Sequence, residues 1–322
     1  MSITNLDLHL RKLTKKEKQY KSGLNPNFNN ISYIINKNGK KIYKFNYLQF
    51  DDFLIKKNDR FTSVPIHIHN CIEINYMYSG SCTQTINDYE FTFKKGQFTF
   101  IDTKTPHSIG YTNEDDILIS LLINKEYLNN SFFSRFDKNN LITQFFFNAI
   151  NNENNDLNYI VFDTQNNKRI RLFLVEFLLE YFNPSSNNHE IESQLLILII
   201  LDLTNSIEEY VSLSSMNKTN SIIISALKYM QSNFTDCTLQ STSEYIHINP
   251  CYLSRLLKKH LNLTYKELII QLRMKHAFKL IRNTNFTIEQ IAFDCGYHNL
   301  TFFYKKFYEL YNKYPKDIRN KK

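Results

Sequence analysis

Two segments near the end of the chain repeat one local pattern, and this repeat limits the possible folds more than any other feature. In the second segment, "TIEQIAFDCGYHNLTFFYKKF" (287–307), a short apolar helix ends at Gly296 and another starts after Asn299. Glycine takes the positive φ of a helix end at low cost, and asparagine is a preferred N-cap. The first segment, "LQSTSEYIHINPCYLSRLLKKHL" (239–261), has the same order, with Asn249 before Pro250 at the first helical position. The sequence therefore predicts two helix-turn-helix units.

The second helix of each unit is amphipathic. Its apolar positions are expected to be buried: Tyr252, Leu253, Leu256 and Leu257 in the first unit, and Phe302, Phe303 and Phe307 in the second. The positions expected to face outward are Cys251, Ser254, Arg255 and Lys258, and then Leu300, Thr301, Tyr304 and Lys305. A helix that presents its first turns in this way fits the major groove of DNA.

The outward side chains suggest a division of roles. Arg255 is the best candidate for a bidentate contact with guanine. Four lysines are better placed for phosphates, which give affinity without sequence preference: Lys258, Lys259, Lys305 and Lys306. A long predicted helix (265–283) joins the two units, and a rigid connector could hold two helices for successive major grooves about 34 Å apart.

The charge distribution agrees with this interpretation. Residues 221–322 contain 16 Lys and Arg against 7 Asp and Glu, a net charge of +9, whereas residues 1–220 carry −1. A basic domain beside a near-neutral one suits a polyanionic partner. A basic but inert surface is the alternative that charge alone leaves open.

Residues 1–211 predict a different architecture. Residues 1–30 are a polar arm, expected to be loosely held, and residues 31–125 read mostly as short strands, with a hairpin turn at Asn87-Asp88 and a strand over 116–123. Helical periodicity follows over 139–152, 167–182 and 190–212. Residues 212–220 are polar and predict a linker before a domain over 221–322. The predicted class is α+β with two domains, a β-barrel with trailing helices (31–211) and an all-α domain.

Residues 221–320 resemble the DNA-binding domain of the AraC/XylS family of bacterial transcription regulators. The resemblance rests on Tyr252-Leu253-Ser254-Arg255, Lys258-Lys259, Arg273, Ala277, Ile291-Ala292, Gly296-Tyr297, Phe303, Phe307, Pro315 and Arg319. It implies base contacts by Cys251, Ser254 and Arg255 in the first unit and by Leu300, Thr301, Tyr304 and Lys305 in the second. Asn262 and Asn312 replace the usual glycine after each recognition helix, and asparagine tolerates that left-handed position. Lys305 stands where arginine is commoner, which weakens the case for bidentate base contacts there.

The segments "PIHIHNCIEINYMYSG" and "KKGQFTFIDTKTPHS" resemble the two cupin motifs. His67, His69 and Glu73 share parity, so on a regular strand they point to one side, and His107 completes a three-histidine, one-glutamate set. Such a set could hold a metal, or its members could be hydrogen-bonded pocket residues without one; we predict no metal or other cofactor. The expected effector pocket comprises His67, His69, Glu73, Tyr76, Phe98 and His107.

The resemblance to regulators also implies dimerisation through the helices after the barrel. The expected face consists of Leu195, Ile199, Leu203 and Ile207, although core packing would explain the same stripe.

These observations predict a cytoplasmic, homodimeric, sequence-specific DNA-binding regulator, an activator that contacts RNA polymerase and responds to a small-molecule effector. The alternatives are a metal-dependent cupin enzyme with a basic DNA-binding module and a regulator without an effector; we favour a protein that is not an enzyme. The five cysteines include no CxxC pair, which argues against disulfides and a structural zinc site. No apolar run reaches 18 residues, so no membrane span is expected.

Overall fold

Short strands form most of the first half of the chain, as the period-two pattern predicts. The computed structural model describes residues 2–36, 38–47, 52–136, 142–143, 145–146, 149, 158–205, 218–261 and 263–319. The strands are β1 (Tyr33–Ile35), β2 (Lys41–Phe45), β3 (Phe53–Lys57), β4 (Val64–His69), β5 (Ile72–Ser79), β6 (Ser81–Ile86), β7 (Tyr89–Lys94), β8 (Gln97–Ile101), β9 (His107–Ile109), β10 (Ile117–Ile123) and β11 (Tyr159–Asp163). The chain divides into two compact units, Met1–Asn220 and Ser221–Lys322.

The strands of the first unit form two sheets. One has the order β1-β2-β4-β9-β6-β7 and the other β11-β8-β5-β10-β3, and only β2 and β4 pair in parallel among the described strands. Side chains from both sheets meet between them, including buried Met77 and Leu118 of one sheet and Cys82 and Phe93 of the other. The predicted hairpin joins β6 to β7, and its two turn residues have φ of 51° and 63°. The barrel-like part of the predicted fold is confirmed.

Helices flank these sheets. In the first unit they are α1 (Ile3–Arg11), α2 (Lys15–Lys21), a 3-10 turn (Lys125–Tyr127), α3 (Asn130–Phe133), α4 (Lys168–Phe182) and α5 (Asn188–Asn205). The side chain of Asn167 caps α4 by accepting hydrogen bonds from the backbone of Arg169 and Ile170. Apolar residues of α4 and α5 lie against the five-stranded sheet, where Phe177 and Ile200 line the same small cavity as Ile74. This sheet is therefore covered on both faces.

The N-terminal segment differs from the loosely held arm expected from its composition. Both α1 and α2 begin with side-chain caps, and Leu6 and Leu10 on α1 are fully buried. The sequence over 1–30 is polar overall, but Leu6 and Leu10 lie four residues apart and share one buried face of α1, whereas Ile3 and Leu8 are exposed. Burial of that face holds the segment on the first unit.

An ion network also holds the N-terminal segment in place. Glu17 of α2 is fully buried and accepts from Arg60 Nε at 2.8 Å and from Lys57 Nζ at 3.0 Å. Burial alone would raise the pKa of Glu17, but the hydrogen bonds from Arg60, Thr14 and Lys57 outweigh burial and lower this pKa to about 2. Residues forty or more positions apart in the chain form this network, so no local pattern could have indicated it.

Six principal helices and one short C-terminal helix build the described part of the second unit. They are α6 (Lys218–Ser232), α7 (Leu239–Tyr245), α8 (Pro250–Leu261), α9 (Tyr265–Asn283), α10 (Ile288–Asp294), α11 (Leu300–Tyr311) and α12 (Pro315–Arg319). The core around α9 to α11 includes Met274, Ala277, Ile291, Phe303 and Phe307. The all-α class predicted for this part is confirmed.

Some predictions fall outside the described residues. These are most of the helix over 139–152, the end of the helix over 190–212 including Ile207, most of the linker over 212–220, and Asn262. Among the residues that the structure describes, no helix is both long and apolar enough to cross a bilayer.

Candidate nucleic-acid interface

The first helix-turn-helix unit consists of α7, a four-residue turn and α8. His247 in the turn has φ of 56°, and Asn249 caps α8 by accepting hydrogen bonds from the backbone of Cys251 and Tyr252 at 2.8 and 3.3 Å. Pro250 is the first helical residue, as predicted. A proline there costs nothing because the first N–H groups of a helix have no partner within the helix.

One face of α8 is buried and the other lies open. Leu253, Leu256 and Leu257 are buried, whereas the exposed residues are Cys251, Arg255, Lys258 and Lys259, with Ser254 half-buried. Arg255 has no hydrogen bond or ion pair within the described ranges of the chain, so its guanidinium can take an external partner.

The prediction that Tyr252 faces the core is wrong. Its side chain is 40% exposed. Residues seven apart share a helical face, so Tyr252 lies on the same side as Lys259 and not on the side of Leu257. Tyr252 therefore belongs to the surface beside the predicted DNA contacts.

The second unit consists of α10, a turn and α11. Gly296 has φ of 77°, and a Cβ on it would lie 2.5 Å from the carbonyl oxygen of Thr235. Asn299 caps α11 by accepting a hydrogen bond from the backbone of Phe302 at 2.9 Å. After α11, Asn312 has φ of 50°, the left-handed conformation expected at this substituted glycine position. The predicted roles of Gly296, Asn299 and Asn312 in the turns are confirmed.

The surface of α11 is less basic than predicted from its lysine pair. Leu300, Thr301 and Lys305 are exposed, whereas Tyr304 is half-buried against the core. Lys306 forms an ion pair with Glu309 at 2.6 Å, so this lysine is partly neutralised within the helix.

Phe302, predicted to be buried, is 36% exposed. Its ring lies 5.7 Å beneath the ammonium of Lys306, whereas Phe303 and Phe307 are fully buried. Phe303 and Phe307 lie four residues apart on one face of the helix, and together they fill the contact with the core. Phe302 therefore lies at the edge of the contact.

Arg273 of α9 bonds both the segment before the first helix-turn-helix unit and the turn of the second. Its guanidinium donates hydrogen bonds to the carbonyl oxygens of Phe234 at 2.8 Å and Thr235 at 2.5 Å, before the first unit, and of Gly296 at 2.8 Å, in the turn of the second. Its planar group also lies 5.5 Å from the ring of Tyr297. A planar, always charged donor can satisfy several carbonyls at once. Arg273 thus holds the segment before α7 against the turn before α11, a role that the spacing of the motif does not reveal.

The predicted set of three histidines and one glutamate, which belongs to the compact unit Met1–Asn220, does come together. Oε2 of Glu73 lies 2.8 Å from Nε2 of His69 and 2.7 Å from Nε2 of His107, and Nε2 of His67 lies 3.1 Å from Nε2 of His69. All four residues are buried. The chain turns at 70–71, so Glu73 lies on β5 of one sheet and the two histidines on β4 of the other. The expectation of one regular strand is wrong, although the predicted convergence is confirmed.

The other ring nitrogens of these histidines face backbone carbonyls. Nδ1 of His67 lies 2.7 Å from the oxygen of Pro65, and Nδ1 of His107 lies 2.9 Å from that of Thr105. A ring that donates from Nδ1 has its lone pair on Nε2 when neutral. Burial, and then His107 and His69, lower the pKa of His67 well below its usual value. Although burial opposes it, His69 and His107 hold the pKa of Glu73 well below its usual range.

This arrangement fits a cation. Neutral imidazole lone pairs and a carboxylate converge on one point, which is unfavourable unless protons or a positive ion lie between them. Carbonyl partners at Nδ1 are also what orients histidine ligands in metal sites. The donor set would suit a borderline divalent ion, which would supply one positive charge centre inside the barrel.

The predicted effector pocket is not one site. Side chains alternate along β5, so Glu73 faces the space between the sheets, whereas Tyr76 faces the helices with Phe98, its cross-strand neighbour, at a ring distance of 4.5 Å. Tyr76 and Phe98 therefore lie on the opposite face of the sheet from the histidines. The cavity beside the histidines is only about 10 Å³, roughly the space of one water.

The expected dimerisation face is also corrected. Ile199 and Leu203 are buried within the first unit, since α5 packs on α4 and the sheet, and Leu195 is half-buried. The exposed apolar residues of α5 are Ile191 and Leu198 instead. Helix α5 has more apolar positions than one contact needs, and only packing reveals which of them are covered.

Comparison with known proteins identifies the type of the compact unit Ser221–Lys322. Residues 242–321 match a family model described as a helix-turn-helix domain. The C-terminal domain of AraT, a response regulator from Geobacillus stearothermophilus, is 30% identical over 89% of its own chain and 33% of this one, with a TM-score of 0.31. Residues 242–321 thus form an AraC-type helix-turn-helix domain.

Longer relatives extend the match. The transcriptional activator PerA of Escherichia coli O127:H6 is 27% identical over 154 residues, which are 48% of this chain and 55% of PerA. The transcriptional activator RhaS of Mannheimia succiniciproducens is 23% identical over 262 residues, which are 79% of this chain and 89% of RhaS. The chain thus spans about half the length of PerA and most of that of RhaS. These relatives are named as regulators, which supports DNA-binding regulation and a protein that is not an enzyme.

Proposed function

We propose that this chain reads two successive major grooves of one duplex with α8 and α11. The observation that carries the proposal is the matched pair of 12-residue helices, which start fifty residues apart and each follow an asparagine cap. A fixed separation lets one chain recognise two blocks of sequence on one face of the duplex.

The proposed contacts follow the exposed side chains. Base edges are contacted by Cys251, Ser254 and Arg255 in the first unit and by Leu300, Thr301, Tyr304 and Lys305 in the second. Phosphates are contacted by Lys258, Lys259 and Lys306. The half-buried position of Tyr304 leaves its hydroxyl as the part that can reach a base.

Selection from a pool of random duplex DNA with the full chain, at two salt concentrations, tests this function. Enrichment of a motif with two blocks about one helical turn apart is the expected result. Tight, steeply salt-dependent binding without any enriched motif would instead mean that the charge binds DNA and the helices do not read it. A single enriched block would mean that only one unit reads sequence.

The regulator is further proposed to act in the cytoplasm as an activator and a homodimer that contacts RNA polymerase, with a small-molecule effector bound by the first unit. Protection of paired motifs by the full chain, together with its mass in sedimentation equilibrium, tests dimerisation. Transcription in vitro from a promoter with the selected motif tests activation, and a fall in transcript would assign repression.

A divalent cation among residues of the barrel is a second proposed property. It is favoured because Nε2 of His69 and Nε2 of His107 both contact Oε2 of Glu73, and Nε2 of His67 lies 3.1 Å from that of His69. His67, His69, Glu73 and His107 would hold the ion, and its charge would replace the protons that the cluster otherwise needs. Elemental analysis of the purified chain tests it, with Glu73→Gln as the comparison. Sub-stoichiometric Fe, Mn, Ni and Zn in the unaltered chain would remove the proposal.

A further inference from the structure

A cleft of about 550 Å³ opens at one end of the barrel in the first unit. The N-terminal segment forms one wall, and β2, β3 and the start of β4 form the other. Its principal side chains are Lys16, Lys44, Lys56, Phe28, Phe45 and Tyr47. Binding sites for small molecules typically have volumes of roughly 300–1,000 Å³.

The cleft carries an excess of positive charge. It is lined by three lysines and by one acidic residue, Asp59. Within the described residues, the ammonium groups of Lys16, Lys44 and Lys56 have no ion pair or hydrogen bond. Some other basic groups on the first unit do have acidic partners, as Lys21 does with Glu114 and Arg11 with Asp7. Three unpaired cations around one concave surface favour an anionic occupant.

Flat aromatic side chains form much of the remaining wall. The rings of Phe28 and Phe45 are stacked at 6.2 Å. Phe45 also stacks on His67 at 4.5 Å, and Tyr47 lies 5.5 Å from His69. An occupant that touches these rings would therefore also press on the histidine cluster beneath them.

A polar chain continues from the cleft into the barrel. Asn58 lines the cleft and donates a hydrogen bond to Ser120 at 2.6 Å, and Ser120 donates to Asn75. The Oδ1 atom of Asn75 is the acceptor in this chain, whereas its buried Nδ2 group has no hydrogen-bond partner among the described residues. The small cavity beside the histidines shares Phe45, Tyr47 and Asn58 with the cleft, so the cleft is the approach to this interior.

A second cleft on the first unit, of about 570 Å³, provides a contrast. It lies between α1, the end of β5 and α4, and its basic residues are Arg11, Lys94, Lys95 and Arg171, so the two clefts differ in their connection to the histidine cluster and not in the sign of their charge. Arg11 is already paired with Asp7 and Asp115. This cleft has no route to the histidine cluster through shared lining residues, so it serves as an internal control.

We propose that the cleft over the histidine cluster binds a small organic anion that carries a flat apolar group. The negative group lies among Lys16, Lys44 and Lys56, and the apolar group lies against Phe28, Phe45 and Tyr47. The inference rests on the proposed function, because it gives the chemical class and the location of the effector.

A pair of fluorescent probes tests this inference on the full chain. Anilinonaphthalene sulfonate has the required negative charge and aromatic rings, and phenylnaphthylamine has the same rings without the sulfonate. Each is titrated against the unaltered chain, against a double variant with Lys44→Gln and Lys56→Gln, and against a control with Lys15→Gln and Lys94→Gln. The control removes the same charge from α2 and from the other cleft, and equal melting temperatures establish that all three are folded.

We expect the cleft variant to bind the sulfonate about tenfold more weakly and the neutral probe unchanged, since two cation–anion contacts are lost. The control variant should bind both probes as the unaltered chain does. Equal sulfonate affinity for all three proteins, or a loss confined to the control, would overturn the proposal. So would an equal loss of both probes, because that would mean the lysines shape the cleft and do not recognise charge.

DNA binding measured on the same proteins separates this inference from the proposed function. A sequence preference that persists in all three, without any charge-selective probe site, would leave the regulator standing and remove the anionic effector. If the unaltered chain shows no sequence preference, the proposed function as a sequence-specific regulator is refuted, whatever the probes show.

Discussion

The two helix-turn-helix units end their first helices in the same way but with different residues. In both, a left-handed residue follows the helix, and the same two backbone hydrogen bonds close its end: His247 N to Glu244 O and Ile248 N to Ser243 O, then Gly296 N to Phe293 O and Tyr297 N to Ala292 O. The first unit uses exposed His247 at this position and the second uses Gly296. A Cβ on Gly296 would lie 2.5 Å from the carbonyl oxygen of Thr235 and 3.0 Å from Cζ of Arg273. The difference shows that close packing, and not the turn itself, requires the glycine.

The two outward helices also differ in charge. Counted from their first residues, Arg255 corresponds to Lys305, and Lys259 corresponds to Glu309. The first helix therefore has more positive charge for phosphates and the residue better suited to guanine. We expect the first unit to supply more of the affinity for DNA, and the following predictions test that difference.

The largest effect is expected at the glycine of the second turn. Gly296→Ala adds a Cβ at positive φ and against a backbone carbonyl. The free energy of unfolding of the compact unit Ser221–Lys322 should therefore fall by about 2–4 kcal/mol. Chemical denaturation of the full chain measures the change. The matched substitution His247→Ala should change stability by no more than about 0.5 kcal/mol. Equal costs at the two positions would refute the packing explanation.

A smaller effect is expected at the side chain that joins the units. Arg273→Lys keeps the charge but can satisfy fewer of the three carbonyls, so the second unit should lose about 2 kcal/mol of stability. Binding to a two-block DNA site should fall more than binding to a site with the first block alone. Electrophoretic mobility shifts with the two duplexes measure this, and equal losses on both would mean that Arg273 does not set the relative positions of α8 and α11.

The corresponding residues of the outward helices should differ in selectivity. Arg255→Ala should remove about 1–2 kcal/mol of the affinity for the preferred sequence and relax the choice of base in one block. Lys305→Ala should cost less and relax the other block. Anisotropy titrations against single-base variants of the selected motif measure both. A larger loss from Lys305→Ala would reverse the assignment of the stronger unit.

The smallest effects are expected in the dependence on salt. Lys259→Gln should reduce the slope of log affinity against log salt by about 1, because one phosphate contact is lost. Glu309→Gln should raise the affinity for any duplex, since Lys306 then loses its partner within the helix. Titrations at several salt concentrations measure both slopes. An unchanged slope for both variants would mean that neither position lies near the phosphates.

Local features of the second unit could be predicted because they depend on near neighbours in the chain. The caps at Asn249 and Asn299 and the left-handed turn at Gly296 each involve residues within about one helical turn, so their spacing predicts them. The same holds for the hairpin at Asn87-Asp88. The packing of Thr235 and Arg273 that makes glycine necessary at 296 comes from distant residues and could not be predicted in this way. The burial of residues at the edge of a contact could not be predicted from the sequence. Tyr252 and Phe302 are expected in the core from their spacing, but they lie beside it.

By itself the sequence determined the two helix-turn-helix units of an AraC-type domain and the set of histidines that meets Glu73, because each depends on residue type within recognisable motifs. Only the tertiary structure decided that Tyr76 and Phe98 face away from that set, that Ile199 and Leu203 are covered, and that Glu17 and Arg60 hold the N-terminal helices in place. Periodicity states which side chains share a face of a strand or helix. It does not state what that face meets, because the partner comes from a distant part of the chain.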